Sequence, residues 1–118
     1  MVNDKKNILV VDFLINRIIF FIEAFGHYNL DVIENSEGAI EYLKSKTYDY
    51  VLLSGNLANG DTCLRVAEFL YDNPSINNTA EVIIYTWNLE VADKILSLLS
   101  KAKYLPFNTK IFSTLLLD

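Results

Sequence analysis

Long apolar runs are missing from this chain, although 52% of its residues are hydrophobic. The longest, at residues 8–11 and 18–22, fall well short of the ~20 residues needed to cross a bilayer, so no membrane segment is expected. The first residues, MVNDKKNILVV, pass from charge directly into a strand pattern without a small-residue cleavage site. They do not read as a secretory signal, and a cytoplasmic location is the expectation. Cysteine is almost absent: Cys63 alone cannot form an internal disulfide, in keeping with a reducing compartment. Positive charge is scarce as well. Ten Lys and Arg against 15 Asp and Glu give a net charge of -5, without the clustered cations that displace counterions from nucleic acid. The chain has a single histidine, His27, and no CxxC pair, HExxH helix or Gly-rich phosphate loop, so the common zinc, thiol-redox and P-loop signatures are missing.

What is present is the material of one core. At 118 residues the chain has the length of a single domain, 1–118, and a chain of this size buries roughly two thirds of its unfolded surface. A mean hydropathy of +0.22 argues against disorder. Residues 7–11 (NILVV) form a continuous β-branched run, as in a central strand covered on both faces. Over residues 14–25 the apolar positions Leu14, Ile18, Phe21, Ile22 and Phe25 recur at helical spacing toward a sheet, and Gly26 follows as a cap. A short strand at 30–33 precedes a helix capped by Asn35 or Ser36, and a buried strand at 50–53 delivers Ser54 to a sheet rim. The turn NLANGD leads to a helix carrying Cys63, Ala67 and Leu70 on one face. The remaining pattern is a strand at 82–85, a helix capped by Asn88, a weak strand at 103–105 ended by Pro106, and a helix capped by Asn108. Phe107 and Phe112 would staple that last helix.

Five strand–helix units without linker or repeat predict an α/β three-layer sandwich. Right-handed crossovers and a single switch point favour a parallel, flavodoxin-like (βα)5 sheet of order 2-1-3-4-5. The carboxyl ends of the first, third and fourth strands then bring Asp12, Ser54 and Thr86 together. The turn after the first strand, DFLIN, lacks the Gly, Ser and Thr donors of a flavin-phosphate site. His27 falls in a turn away from these residues, and Cys63 reads as a small buried thiol.

The segments KKNILVVD, YDYVLLSGNLANGD, VIIYT and YLPF fall in order along the whole chain, and together they resemble a response-regulator receiver domain. In that family an acidic pair and an aspartate hold Mg²⁺, the aspartate accepts a phosphoryl group, a Thr or Ser senses it and a Lys pairs with it. Here the resemblance places Asp12 in the acidic pair beside a non-matching Phe13, and Ser54 at the phosphoacceptor. Asn56 falls where a carbonyl would complete the metal site, Thr86 at the sensing hydroxyl, and Leu105 at the lysine. Lys103 stands two residues back as a partial substitute, and Tyr104 is the candidate aromatic switch. LSGNL, NGDT and YTWN are also similar to motifs of the cyclic-phosphate-processing receivers, with Asp61, Thr62, Thr86, Asn88 and Arg17 retained and the presumed catalysts lost.

The resemblance implies a degenerate receiver, a pseudo-receiver of the two-component and phosphorelay kind, that signals as a protein-interaction module without enzyme activity. A hydroxyl cannot form an acyl phosphate, and Asp12 alone is a poor Mg²⁺ site, so no cofactor is expected. The alternatives are residual phosphate chemistry or ligand binding through Asp12, Thr86, Asn88 and Lys103, or a receiver phosphorylated at Ser54 by a kinase. The expected partner is a protein, including a second copy of the chain. Its surface is predicted at Phe13 and Phe20 beside the site, with a second apolar surface at residues 115–117.

Overall fold

The computed structural model describes residues 5–114. Five parallel strands, β1 (Asn7–Val11), β2 (Asn29–Ile33), β3 (Tyr50–Leu53), β4 (Glu81–Ile84) and β5 (Lys103–Tyr104), stand in the order β2-β1-β3-β4-β5. Between them run α1 (Ile15–Phe25), α2 (Ser36–Ser45), α3 (Leu64–Asp72) and α4 (Leu89–Leu98), and α5 (Thr109–Thr114) follows β5. The expected flavodoxin-like α/β sandwich and strand order are thus observed. No described helix is long and apolar enough to cross a membrane.

Strand side chains alternate between the two faces of a sheet, and here they divide the core in two. Ile8, Val10, Leu52, Ile83 and Tyr85 face α1 and α5, where Phe21, Phe25 and Phe112 complete one cluster. Leu9, Val11, Val51, Leu53 and Ile84 meet Ala39, Leu43, Val66, Ala67 and Ile95 of α2, α3 and α4 on the other side. The first cluster is aromatic: Phe21 lies 5.5 Å from Tyr85, 5.6 Å from Phe112 and 5.9 Å from Phe107, centroid to centroid. Phe107 and Phe112 stack at 5.8 Å, the staple anticipated at the start of α5.

Helix α1 is turned differently from its expected orientation. Ile18, Phe21 and Phe25 are buried, but Leu14 and Ile22, expected against the sheet, are exposed. Phe20, expected on the outer side, packs edge-on to Phe21 (5.4 Å) and Phe107 (5.6 Å). Phe13 packs with the opposite cluster, so the two rings form no shared patch. The reason lies in Arg17, which bonds the buried Asp12 and so draws positions 17, 21, 24 and 25 onto the inner face of the helix. Exposed instead is an aliphatic stripe of Leu14 (43%), Ile15 (64%), Ile19 (45%) and Ile22 (50%). Gly26 closes α1 in right-handed geometry, and a Cβ there would overlap the Ile22 carbonyl. The surface expected at residues 115–117 lies outside the described residues.

Because Phe21 is fully buried amid five other rings, Phe21→Ala should cost about 3–5 kcal/mol. Urea denaturation followed by circular dichroism reads this as a lower midpoint with an unchanged slope.

Candidate functional site

The carboxyl ends of β1, β3 and β4 carry Asp12, Ser54 and Thr86, all buried. The backbone N–H of Asp12 donates to Ile33 O at 3.1 Å and that of Ser54 to Val11 O at 3.1 Å, continuing the sheet ladder to the rim. The centre of the site is the Asp12 carboxylate. Its Oδ1 accepts from the Phe13 N–H (2.7 Å), the Leu14 N–H (3.0 Å) and Arg17 Nη2 (3.0 Å). Its Oδ2 accepts from Arg17 Nε (2.8 Å) and the Tyr85 hydroxyl (2.7 Å). Two carboxylate oxygens offer about four lone-pair positions, so these donors saturate them. Arg17 supplies a bidentate fork, and its Cζ sits 5.6 Å from the centre of the Tyr85 ring. Burial opposes the Arg17 charge, but the Asp12 hydrogen bonds and charge override it and raise the guanidinium pKa. Burial, followed by the Asp12 charge, pushes the Tyr85 phenol well above its ordinary value, which keeps it a donor.

A divalent cation held by Asp12 would need oxygen lone pairs facing it, and Mg²⁺ in particular demands near-octahedral oxygen ligation. Every Asp12 acceptor faces a hydrogen-bond donor, and the nearest cation is the guanidinium of Arg17. Among the described residues no three His, Cys, Asp or Glu side chains gather as metal ligands. The Mg²⁺ that the receiver fold implies does not fit this arrangement.

The other polar groups are likewise engaged. Ser54 is 2% exposed, with its hydroxyl 3.5 Å from Asn56 O and 4.0 Å from Cys63 Sγ. Burial pushes the Cys63 thiol up to about 12, so it stays neutral. Gly55 has a φ of 103°, and a Cβ there would overlap the Thr86 side chain; glycine is required by both conformation and space. Thr86 Oγ1 accepts from the Asn88 N–H (2.9 Å), and Asn88 Oδ1 caps α4 through the Glu90 and Val91 N–H groups. Asn88 Nδ2 donates to Asn56 Oδ1 at 3.3 Å. The Tyr104 hydroxyl donates to Thr86 O at 3.0 Å, tying β5 to the loop after β4. Leu105 packs with the α1 cluster. Lys103 does not reach the site: its Nζ pairs with Glu81 at 3.0 Å, at the amino end of β4. Its backbone lies in register with Ile83 near the carboxyl end of β4, but its side chain runs back to Glu81 and away from Asp12, which corrects its assignment as a substitute for the receiver lysine. His27 is exposed and stacks on Tyr28.

Two groups have roles that sequence pattern does not reveal: Tyr85, which it does not mark as a site residue, and Asp61, which enters only through the resemblance to cyclic-phosphate receivers. Tyr85 was taken only as a strand residue, although a buried tyrosine usually needs a partner for its hydroxyl. Asp61 proves to be a clamp: Oδ2 accepts from the Ser36 N–H (2.7 Å), and Oδ1 from the Ser36 hydroxyl (2.7 Å) and the Thr62 N–H (2.9 Å). It fastens the loop after β3 to the start of α2. Burial raises its pKa, but the Ser36 and Thr62 donors and the Arg65 charge outweigh this and hold it below the ordinary 3.8.

Replacing Arg17 by Met leaves a buried carboxylate without its counter-charge, an alteration that typically costs about 3–5 kcal/mol. Arg17→Lys should fall between Arg17→Met and the parent chain, because an ammonium cannot reproduce the fork; chemical denaturation at neutral pH measures both. For Asp61 the depressed pKa means stability present above 3.8 and lost as pH falls through the lower folded-state value. Asp61→Asn should therefore be less stable at neutral pH and lose less stability on acidification, as read from melting temperature against pH.

No family model and no curated protein sequence matches the chain. Among solved structures, it is similar to the signal receiver domain of an HD domain-containing protein from Pseudomonas fluorescens Pf-5. That match has 20% identity and a TM-score of 0.78, and covers 99% of this chain and 88% of the other. The receiver domain of a Luxo repressor protein from Vibrio parahaemolyticus matches at 17% identity and a TM-score of 0.75, covering 96% and 88%. The response regulator TrrA from Thermotoga maritima, solved in complex with Mg²⁺ and BeF, matches at 26% identity and a TM-score of 0.72, covering 90% of each chain. With its strand order, these neighbours show that the chain has the fold of a response-regulator receiver domain.

Proposed function

We propose that this chain is a receiver domain of signal transduction that has lost aspartyl phosphorylation and works by binding a protein partner. One observation carries the reading: the Arg17 guanidinium is seated on Asp12, with the Tyr85 hydroxyl and two backbone N–H groups filling the remaining acceptor positions. Phosphoryl transfer depends on cations placed around the developing charge. This site has an internal ion pair in their place, a serine where an acyl phosphate would form, and Leu105 where the pairing amine would stand. The residues shared with cyclic-phosphate receivers are engaged in structural bonds, Asp61 with Ser36 and Thr86 with Asn88. Modification of Ser54 by a kinase would require a hydroxyl that is now buried to swing outward.

The α1 stripe supports the partner half of the reading. Ile15, Ile19 and Ile22 follow one another at helical spacing, and the helix's two charged residues are Arg17, already paired with Asp12, and Glu23. Such a face suits an apolar helix of another protein, docked by side-chain packing and not by ion pairs.

Trp87 is exposed immediately after Thr86 and reports on the rim. Titration with Mg²⁺ and beryllofluoride should leave its emission unchanged, and mass spectrometry after incubation with acetyl phosphate and Mg²⁺ should find no phosphoryl adduct. A saturable emission change or a stable adduct would overturn the loss of phosphoryl chemistry.

A further inference from the structure

A groove of about 570 Å³ lies at the opposite edge of the sheet, between the carboxyl ends of α3 and α4. Leu70, Ile76, Ala80, Val82, Leu98 and Leu99 supply its apolar wall, with Asn77, Asn78, Ser100 and Lys101 as the polar part of the lining. Both its size and its lining fall within the usual range of small-molecule sites. Nothing in the proposed signalling chemistry uses it.

The walls are pre-formed. Asn77, in left-handed conformation with a φ of 51°, accepts from the Tyr48 N–H at 2.6 Å and donates through Nδ2 to Leu43 O and Lys46 O, each at 3.0 Å. These bonds staple the loop between α3 and β4 to the end of α2. The Ala80 N–H bonds Asn77 O at 3.1 Å, and the Ala102 N–H bonds Leu99 O at 2.9 Å. A ligand entering such a groove orders little of the chain, which removes one of the main costs of binding.

Charge defines the ligand. The protein carries a net charge of -5, yet no Asp or Glu lines the groove, and its one charged residue is Lys101. Among the described residues Lys101 has no hydrogen-bond or ion-pair partner. The helix-end carbonyls nearby are already taken: Phe69 O by the Asn73 N–H and Nδ2, Ile95 O by the Leu99 N–H. Lys101 is thus a free cation in the lining of a largely apolar, otherwise uncharged groove, the complement of an aliphatic chain ending in one carboxylate. We propose that this groove binds an aliphatic monocarboxylate of fatty-acid type, with the chain along Leu70, Val82 and Leu98 and the carboxylate on Lys101.

Octanoate and its uncharged analogue octanol are suitable probes, added to the ¹⁵N-labelled full chain and followed by amide chemical shifts. Octanoate should give saturable shifts concentrated at Ile76, Ala80, Val82 and Lys101, and octanol weaker ones. Lys101→Gln, an exposed and unpartnered position, should weaken octanoate about tenfold, as expected for one charge-assisted contact, while leaving octanol unchanged. Absence of saturable shifts at the groove, equal affinity for octanoate and octanol, or octanoate binding undiminished by Lys101→Gln would each overturn the proposal.

Discussion

The Asp12 carboxylate, sealed at the end of β1 by Arg17 and Tyr85, is the constraint on which the arrangement of this domain depends. A fully buried carboxylate is costly unless paired and hydrogen-bonded, and Asp12 is 0% exposed. The fold meets that requirement with donors from three places: the chain just after β1, the first turn of α1, and the residue after β4. The domain's central strands and one of its helices are therefore locked together through one anion. Tyr85 extends the lock into the aromatic cluster, since its ring lies against Phe21, Phe107 and Phe112.

Two properties of the surface follow from the same contact. Holding Arg17 inward sets the rotation of α1, so Phe20 and Phe21 join the aromatic cluster while Ile15, Ile19 and Ile22 turn to solvent. The ion pair that saturates Asp12 thus also accompanies exposure of the stripe proposed for a partner. The rim is closed by similar local bonds: Asp61 clamps the loop after β3 to α2, Thr86 and Asn88 cap α4, and Tyr104 ties β5 to the loop after β4. The receiver fold is kept, and the polar groups at its rim bond to one another and to the backbone.

The sheet was legible in the sequence because parallel strands buried on both faces read as unbroken apolar runs, as at NILVV and YVLL. The caps at Asn35 and Asn88 were legible for a similar local reason. The rotation of α1 was not. With isoleucine and phenylalanine spread around the helix, apolar periodicity leaves several faces nearly equivalent, and Arg17 decides among them through a carboxylate already buried in the sheet. Tyr85 meets Asp12 across 73 positions, a separation that no local pattern encodes. The direction of the Lys103 side chain is not legible either, because β5 has only two residues and the ammonium is drawn back along β4 by Glu81, a partner 22 positions away.

The most direct test is the Arg17 Nε–H resonance, followed by ¹⁵N NMR during a Mg²⁺ titration. If Arg17 occupies the Asp12 carboxylate in solution, that proton exchanges slowly with water and its shift stays constant under excess Mg²⁺. A fast-exchanging Nε–H, or a saturable shift as Mg²⁺ is added, would show that the guanidinium yields to the metal and would contradict the account.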